Sequence, residues 1–124
     1  MKAIVDTHAL IWFLEENRRL GKKARDILSS STAQLIIPVI VLCELYYYLR
    51  KKKIADRYVA IYRSLTGDPR ISIKSLEAHL ISKIPEGLEL HDGLIAALAS
   101  EMEFPILSRD EELQKWDASR LIWE

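Results

Sequence analysis

Short apolar runs alternate with longer segments of helical periodicity along this chain. Ala3-Ile4-Val5 and Leu35-Ile36-Ile37 are short, apolar and rich in β-branched residues, which is typical of buried strands. Pro105-Ile106-Leu107 and Leu121-Ile122-Trp123 predict two further strands, and the alternation in Ile71-Ser72-Ile73 predicts a short edge strand. The pattern therefore predicts five short strands spread over the length of the chain.

Helical segments separate these strands. Apolar residues at helical spacing predict helices over 9–14, 22–30, 39–50, 55–65, 76–84 and 92–102. Ser108 and Glu111 have the spacing of a capping box, with Ser108 as the N-cap of a last helix and Glu111 at its third position. Strands that alternate with helices in this way predict an α/β fold, a three-layer α/β/α arrangement with a short parallel sheet flanked by helices.

The predicted helix over 39–50 is apolar almost all round and carries one acidic residue, Glu44, in its middle. Such a helix is buried on several sides or meets a partner. Tyr46, Tyr47 and Tyr48 span about 200° of the helix surface, so at least one of them is exposed or covered by a partner. Cys43 lies within the same apolar run, and we expect it to be a small core residue.

Composition narrows the class of protein. The 124 residues are 49% hydrophobic, which is enough for one core without cross-links. Lys and Arg balance Asp and Glu at 18 each, so any nucleic-acid surface must be a local patch. The lone cysteine excludes an intrachain disulfide and a Cys-based zinc site. No apolar run reaches the roughly 18 residues of a membrane span, and Asp6 interrupts the only early one, so we expect a soluble cytoplasmic protein without a signal peptide.

Four acidic residues lie at the edges of apolar elements: Asp6, Glu44, Asp92 and Asp110. Asp6 directly follows the first strand, whereas Asp92 and Asp110 fall in first helical turns, where the helix dipole favours a carboxylate. Glu44 comes about two turns into its helix, and its side chain, which is longer than that of aspartate, can reach back towards the start of the helix. Because right-handed crossovers put helix starts at one edge of a parallel sheet, we expect the four carboxylates to meet there.

Clustered carboxylates need a cation. Two unit charges ~4 Å apart repel by about 4 kcal/mol at an effective dielectric constant of about 20. One or two Mg²⁺ or Mn²⁺ ions remove this cost, because hard cations prefer oxygen ligands. Such an ion orients a phosphodiester, lowers the pKa of the attacking water and stabilises the leaving oxygen. We expect Thr7 and Ser108 to hydrogen-bond the carboxylates or a bound water.

The four acids lie in four ordered motifs, IVDTHAL at 4–10, VLCEL at 41–45, LHDGLIAA at 90–97 and LSRD at 107–110. The pattern resembles the PIN domain, most of all the VapC toxins of bacterial and archaeal toxin–antitoxin pairs, over essentially the whole chain. The resemblance implies a single PIN-like domain over 1–124 with Mg²⁺- or Mn²⁺-dependent endoribonuclease activity, homodimerisation and inhibition by a cognate VapB-like antitoxin. The residues that match the family's acidic site are Asp6, Glu44, Asp92 and Asp110, with Ser108 where the family has Thr or Ser.

Basic residues near these motifs are candidates for contacts with RNA phosphates. Arg50 and Lys52 lie about two turns beyond Glu44, at the end of the same predicted helix, although a solvated helix end is the simpler explanation for them. Arg109 directly precedes Asp110. Phosphate contacts of this kind would make RNA binding sensitive to salt.

Each acid also has a purely structural explanation. Asp6 and Asp92 suit helix N-caps, and the proposed capping box accounts for acidic residues around Asp110. Glu44 is harder to explain, because a charge inside an apolar helix is rarely tolerated unless it is paired or binds a metal. The structural explanation for Glu44 is an ion pair.

Two functions from other classes compete with the nuclease. A catalytically silent PIN-like interaction module would lack one of the carboxylates, and none is missing. A phosphotransfer domain with Asp6 as its nucleophile would need a second aspartate two residues later, where this chain has His8. His8 and His91 flank two of the acids, but no Ser or Cys nucleophile lies at a matching spacing, so we do not expect either to act as a general base.

Overall fold

The computed structural model describes all 124 residues. Five strands form one sheet in the order β3-β2-β1-β4-β5, with every neighbouring pair parallel. The strands are β1 (Lys2–Val5), β2 (Gln34–Pro38), β3 (Ile71–Lys74), β4 (Ile106–Leu107) and β5 (Leu121–Ile122). Ile4 at the centre pairs with Ile36 of β2 and with Ile106 of β4. The predicted edge strand at 71–73 is confirmed as β3.

Six α-helices cover the two faces of this sheet. They are α1 (Thr7–Leu14), α2 (Lys22–Ser29), α3 (Val39–Lys51), α4 (Tyr58–Gly67), α5 (Leu90–Met102) and α6 (Glu111–Asp117). The chain moves from β1 through β2 to β3, then crosses back to β4 and β5, so right-handed crossovers place α1 to α4 on one face and α5 and α6 on the other. Helix contacts agree, since α1 packs on α2 and α3 while α5 packs on α6. The predicted three-layer α/β/α fold is confirmed.

The core lies around β1, whose residues Ala3, Ile4 and Val5 are fully buried. A strand covered on both faces needs apolar side chains in both directions, which explains its continuous apolar run. Helix α5 is buried from Gly93 to Ala99, so it is enclosed around most of its circumference. None of the helices has the length and apolar character needed to cross a membrane.

The segment 76–84 is not the predicted α-helix. It contains only a 3₁₀ segment at Ala78–Lys83, in which Leu80 is the one buried side chain. The apolar residues Leu76 and Ile81 are 50% and 57% exposed. The helix prediction was wrong because these apolar residues do not form the continuous buried stripe that stabilises a surface helix.

Helix α3 buries one stripe rather than its whole circumference. The stripe consists of Val41, Leu42, Leu45 and Leu49. Cys43 is exposed on another side of the helix, so its assignment to the core was wrong. Tyr46 and Tyr47 are 39% and 60% exposed, which confirms that the tyrosines cannot all face the core.

Candidate metal centre

The candidate site lies where β1 and β4 end side by side. The Asp6 amide donates a hydrogen bond to the Leu107 carbonyl at 3.3 Å, so the two chain segments leave the sheet together. Helix α1 follows β1 on one face of the sheet, and α6 follows β4 on the other. Ligands of open α/β sheets bind in the crevice at such a reversal of chain direction.

Asp6 is the most enclosed of the four acids, with 6% of its surface exposed. It is the N-cap of α1, and its Oδ1 accepts a hydrogen bond from the Thr7 amide at 2.7 Å. The Ser108 hydroxyl donates to its Oδ2 at 2.6 Å. Burial raises the pKa of the Asp6 carboxyl, the two hydrogen bonds oppose this rise, and the negative charges of Asp110 and Glu44 add to it.

Glu44 reaches the site from α3. Its Oε1 accepts a hydrogen bond from the Thr7 hydroxyl at 2.6 Å, and its Oε2 lies 3.0 Å from Nδ1 of His91. His91 is in the first turn of α5, so this contact joins helices from the two faces of the sheet. Sequence reasoning missed the pairing, because no local pattern connects residues that are 47 positions apart.

Asp92 lies half-buried in the first turn of α5, and no protein group donates a hydrogen bond to its carboxylate. Burial raises the pKa of Asp92 to about 7. The negative charges of nearby acids raise this pKa further; in decreasing order of effect they are Asp110, Asp6, Glu44 and Glu89. Since the charges of the other three predicted acids all act on Asp92, the four acids lie in one neighbourhood, which we call the acidic cluster.

Asp110 completes the cluster from the start of α6. It is the N-cap of this helix, and its Oδ1 accepts a hydrogen bond from the Leu113 amide at 3.0 Å. The predicted capping box of Ser108 and Glu111 is therefore wrong. The Ser108 hydroxyl donates to Asp6 and accepts from the Asp110 amide, so it is not available at the helix start.

No lysine or arginine forms an ion pair with any of the four acids. Their one contact with a basic side chain is that of Glu44 with His91. Elsewhere in the protein carboxylates have strong cationic partners, as Asp68 has in Arg70, which lowers the pKa of Asp68. The cluster therefore carries negative charge that the protein itself does not neutralise, and a divalent cation is the ligand that would do so.

The arrangement of the four acids suits a hydrated ion better than a fully enclosed one. As the side chains stand, no group of three or more His, Cys, Asp or Glu residues is close enough together to hold a metal ion by itself. The carboxylates of Asp6 and Glu44 are engaged by neighbouring donors, whereas that of Asp92 and Oδ2 of Asp110 accept no hydrogen bond from the protein. Because Mg²⁺ keeps several waters and commonly uses one or two carboxylates, this donor set fits Mg²⁺ or Mn²⁺.

A cavity of about 640 Å³ opens beside Asp6 and Asp110. The residues that line it are Asp6, His8, Trp12, Ser108, Arg109, Asp110, Glu111 and Gln114. Arg109, which sequence analysis selected as a phosphate contact, therefore borders the acidic cluster. Arg50 and Lys52 do not line this cavity, and each lies over a tyrosine ring towards the C-terminal end of α3. Their contact with RNA stays a prediction.

Comparison with known protein families identifies the same family that the four acidic motifs resemble. The family model described as PIN domain matches residues 3–118. No curated protein sequence matches the chain.

Three solved structures have similar folds at 17% sequence identity and a TM-score of 0.67. VapBC2 from Rickettsia felis, bound to a DNA fragment from its promoter, aligns over 100% of both chains. A toxin–antitoxin complex from Klebsiella pneumoniae aligns over 97% of this chain and 95% of that one. DNA-bound VapBC from Salmonella typhimurium aligns over 98% and 97%. At this identity the likeness shows the fold alone.

Proposed function

Because this chain belongs to the PIN domain family, we propose that it is a metal-dependent endoribonuclease and the toxin of a VapBC-like toxin–antitoxin pair. The observation that carries the proposal is the cluster of four carboxylates at the sheet's reversal point, with no lysine or arginine to neutralise it. The similar structures are described as VapBC or toxin–antitoxin complexes, which supports the assignment as a toxin.

The proposed cofactor is Mg²⁺ or Mn²⁺, as one or two ions, held by Asp6, Glu44, Asp92 and Asp110. When bound, the ion supplies the charge that orients an RNA phosphodiester, activates the attacking water and stabilises the leaving oxygen. Asp92 has to release its proton before it binds the ion, because its pKa is raised to about 7. Metal binding is therefore expected to strengthen as the pH rises through this value.

Thr7 and Ser108 act on the carboxylates. The Thr7 hydroxyl holds one oxygen of Glu44, and the Ser108 hydroxyl holds one oxygen of Asp6, both at 2.6 Å. Such outer contacts fix the orientation of ligand side chains, and their loss typically costs 10–100-fold in metal affinity or activity. The two hydroxyl groups are thus positioning groups for the acidic cluster.

The proposed partners are an RNA substrate, a VapB-like antitoxin and a second copy of the chain. An exposed apolar surface supports a protein partner, since Cys43, Tyr46 and Tyr47 of α3 border a groove with Tyr58 and Tyr62 of α4. Exposed apolar grooves are candidate surfaces for contact with another protein.

Removal of the metal tests the proposed chemistry. The protein is purified, stripped of any antitoxin, and incubated with structured RNA that includes tRNA. We expect cleavage in Mg²⁺ or Mn²⁺, loss of cleavage in excess EDTA and recovery when Mn²⁺ is restored. RNA in Mn²⁺ without protein is the control for metal-induced hydrolysis. Cleavage that persists in EDTA would rule out metal catalysis.

A further inference from the structure

We propose that Arg109 binds an RNA phosphate adjacent to the one that is cut, an inference that rests on the proposed nuclease function. The Arg109 guanidinium carbon lies 4.7 Å from the ring centroid of Trp12 and 5.8 Å from that of Trp123. The two indoles meet edge to face with their centroids 5.9 Å apart. Cation–π contact with two packed indoles holds the guanidinium in place without using its N–H donors.

The backbone around Arg109 is fixed as well. The Ser108 amide donates to the Ile122 carbonyl at 3.2 Å, which ties this segment to β5. The Asp110 amide donates to the Ser108 hydroxyl at 3.0 Å, and Nε2 of Gln114 donates to the Arg109 carbonyl at 3.4 Å. A side chain held in this way loses little freedom when it binds a ligand.

The donors of Arg109 are free, unlike those of the arginines that stabilise the fold. Arg70 and Arg120 each pair with an aspartate and also donate to backbone carbonyls. Arg109 pairs with no carboxylate, although Asp110 and Glu111 follow it directly in the chain. Its guanidinium therefore presents unused N–H donors in a fork that matches a phosphate group.

The acidic residues around Arg109 would repel an RNA phosphate, and Arg109 can offset this repulsion. Among the residues that line the 640 Å³ cavity, Arg109 is the one permanent cation, whereas Asp6, Asp110 and Glu111 are acidic. A metal ion held by the carboxylates would offset the charge of the phosphate that is cut, but the neighbouring phosphates would still face these acidic residues. Cavities of this size accommodate small ligands such as a nucleotide, so Arg109 can hold the next phosphate of the strand.

RNA binding by a variant that does not cut its substrate tests this inference. The parent is Asp6→Asn in Mn²⁺, the probe is a short fluorescein-labelled single-stranded RNA of random sequence, and affinity is measured by anisotropy over a range of salt. Arg109→Gln is compared with Arg19→Gln, a matched control because Arg19 also lies over Trp12, at 5.8 Å, but does not line the cavity. Thermal unfolding verifies that both variants are folded.

We expect Arg109→Gln to weaken RNA binding about tenfold and to reduce the slope of log affinity against log salt by about 0.7, the loss of one phosphate contact with a single strand. Arg19→Gln should change neither. Arg109→Lys keeps the charge without the planar fork and should give intermediate affinity.

Three results would overturn the inference: unchanged affinity in Arg109→Gln, weaker affinity with an unchanged salt slope, or an equal loss in Arg19→Gln. Failure of the nuclease proposal gives a different pattern, in which the wild-type chain cuts no RNA while Arg109→Gln still weakens RNA binding. If the wild type cuts RNA and Arg109→Gln binds like its parent, the Arg109 contact alone is wrong. A parent that binds no RNA at any salt contradicts both.

Discussion

At the scale of single residues, the site depends on two hydroxyl–carboxylate pairs, Ser108 with Asp6 and Thr7 with Glu44. Each joins side chains from different parts of the chain, 37 and 102 positions apart for Thr7 with Glu44 and Ser108 with Asp6. Hydrogen bonds to a charged acceptor are about twice as strong as neutral ones. Both hydroxyl groups therefore hold their carboxylates in place, and that of Ser108 also lowers the pKa of Asp6.

Ser108→Ala removes the hydrogen bond that lowers the pKa of Asp6, so this pKa should rise further above its usual value. We expect Mn²⁺ affinity at neutral pH to fall about 10–100-fold, because Asp6 is less readily ionised and less well oriented. Titration calorimetry measures the change. Ser108→Thr retains the hydroxyl and should bind Mn²⁺ like the wild type; equal affinities in the alanine and threonine variants would contradict the role of the hydroxyl.

Local sequence predicted the acidic residues better than it predicted their partners. Asp6 and Asp110 follow apolar strands, so their meeting at the sheet edge follows from right-handed connectivity. The contact of Glu44 with His91 depends on the packing of two helices from opposite faces, which no local pattern encodes. Ser108 satisfied a local capping rule, yet its hydroxyl binds Asp6, which lies 102 positions away. Tertiary contacts decide between such local alternatives.

At the scale of elements, the sequence is most informative where burial is complete. Strand β1 is buried from Ala3 to Val5 and was predicted from its continuous apolar run. The segment 76–84 contains apolar residues as well, but two of them face solvent, and it forms a short 3₁₀ segment. Its last residue, Ile84, packs directly against Gly93 of α5, next to Asp92. The glycine is needed for that close approach, which spacing alone does not reveal.

Gly93→Ala is expected to destabilise the protein, because the new methyl group would overlap Cγ2 of Ile84. Overpacking of this kind costs about 1–3 kcal/mol, which exceeds the gain of up to ~1 kcal/mol in helix propensity. Urea unfolding measures the free energy of unfolding. In an Ile84→Ala background the clash is absent, and the same glycine substitution should become neutral or stabilising. Stabilisation by Gly93→Ala in both backgrounds would show that the close approach is unimportant.

At the scale of the whole molecule, a net charge of zero conceals an uneven distribution. Four carboxylates meet at one edge of the sheet without lysine or arginine partners, while other acids form ordinary surface ion pairs such as Lys22 with Asp26. Amino-acid composition does not reveal this clustering, because the clustering results from the order of the strands in the sheet. Topology therefore carries functional information that the overall charge lacks.

Stability of the metal-free protein should depend on the protonation of Asp92. The pKa of this group is about 7 in the folded protein, against an ordinary value of 3.8, so the folded state holds the proton more tightly. Its contribution to the free energy of unfolding is fully present below pH 3.8 and is lost as the pH rises through about 7. Bound Mg²⁺ should reverse this loss, because it stabilises the ionised form.

Thermal unfolding of the wild type and Asp92→Asn, with EDTA or with Mg²⁺, measures this dependence on either side of pH 7. We expect Asp92→Asn to lose less stability than the wild type as the pH rises in EDTA. Mg²⁺ should raise the melting temperature of the wild type more above pH 7 than below it. An identical pH dependence of the melting temperature in the two proteins would show that the pKa of Asp92 is not raised in the folded state.

The most direct test of the central claim is RNA cleavage by the wild type, by Asp6→Asn and by Asp56→Asn, all freed of antitoxin and supplied with Mg²⁺ or Mn²⁺. Asp56 is an exposed aspartate outside the cluster and serves as the matched control. We predict cleavage by the wild type and by Asp56→Asn, and none by Asp6→Asn, which should retain the circular dichroism spectrum of the wild type. Cleavage by Asp6→Asn at the wild-type rate would contradict the proposed metal centre.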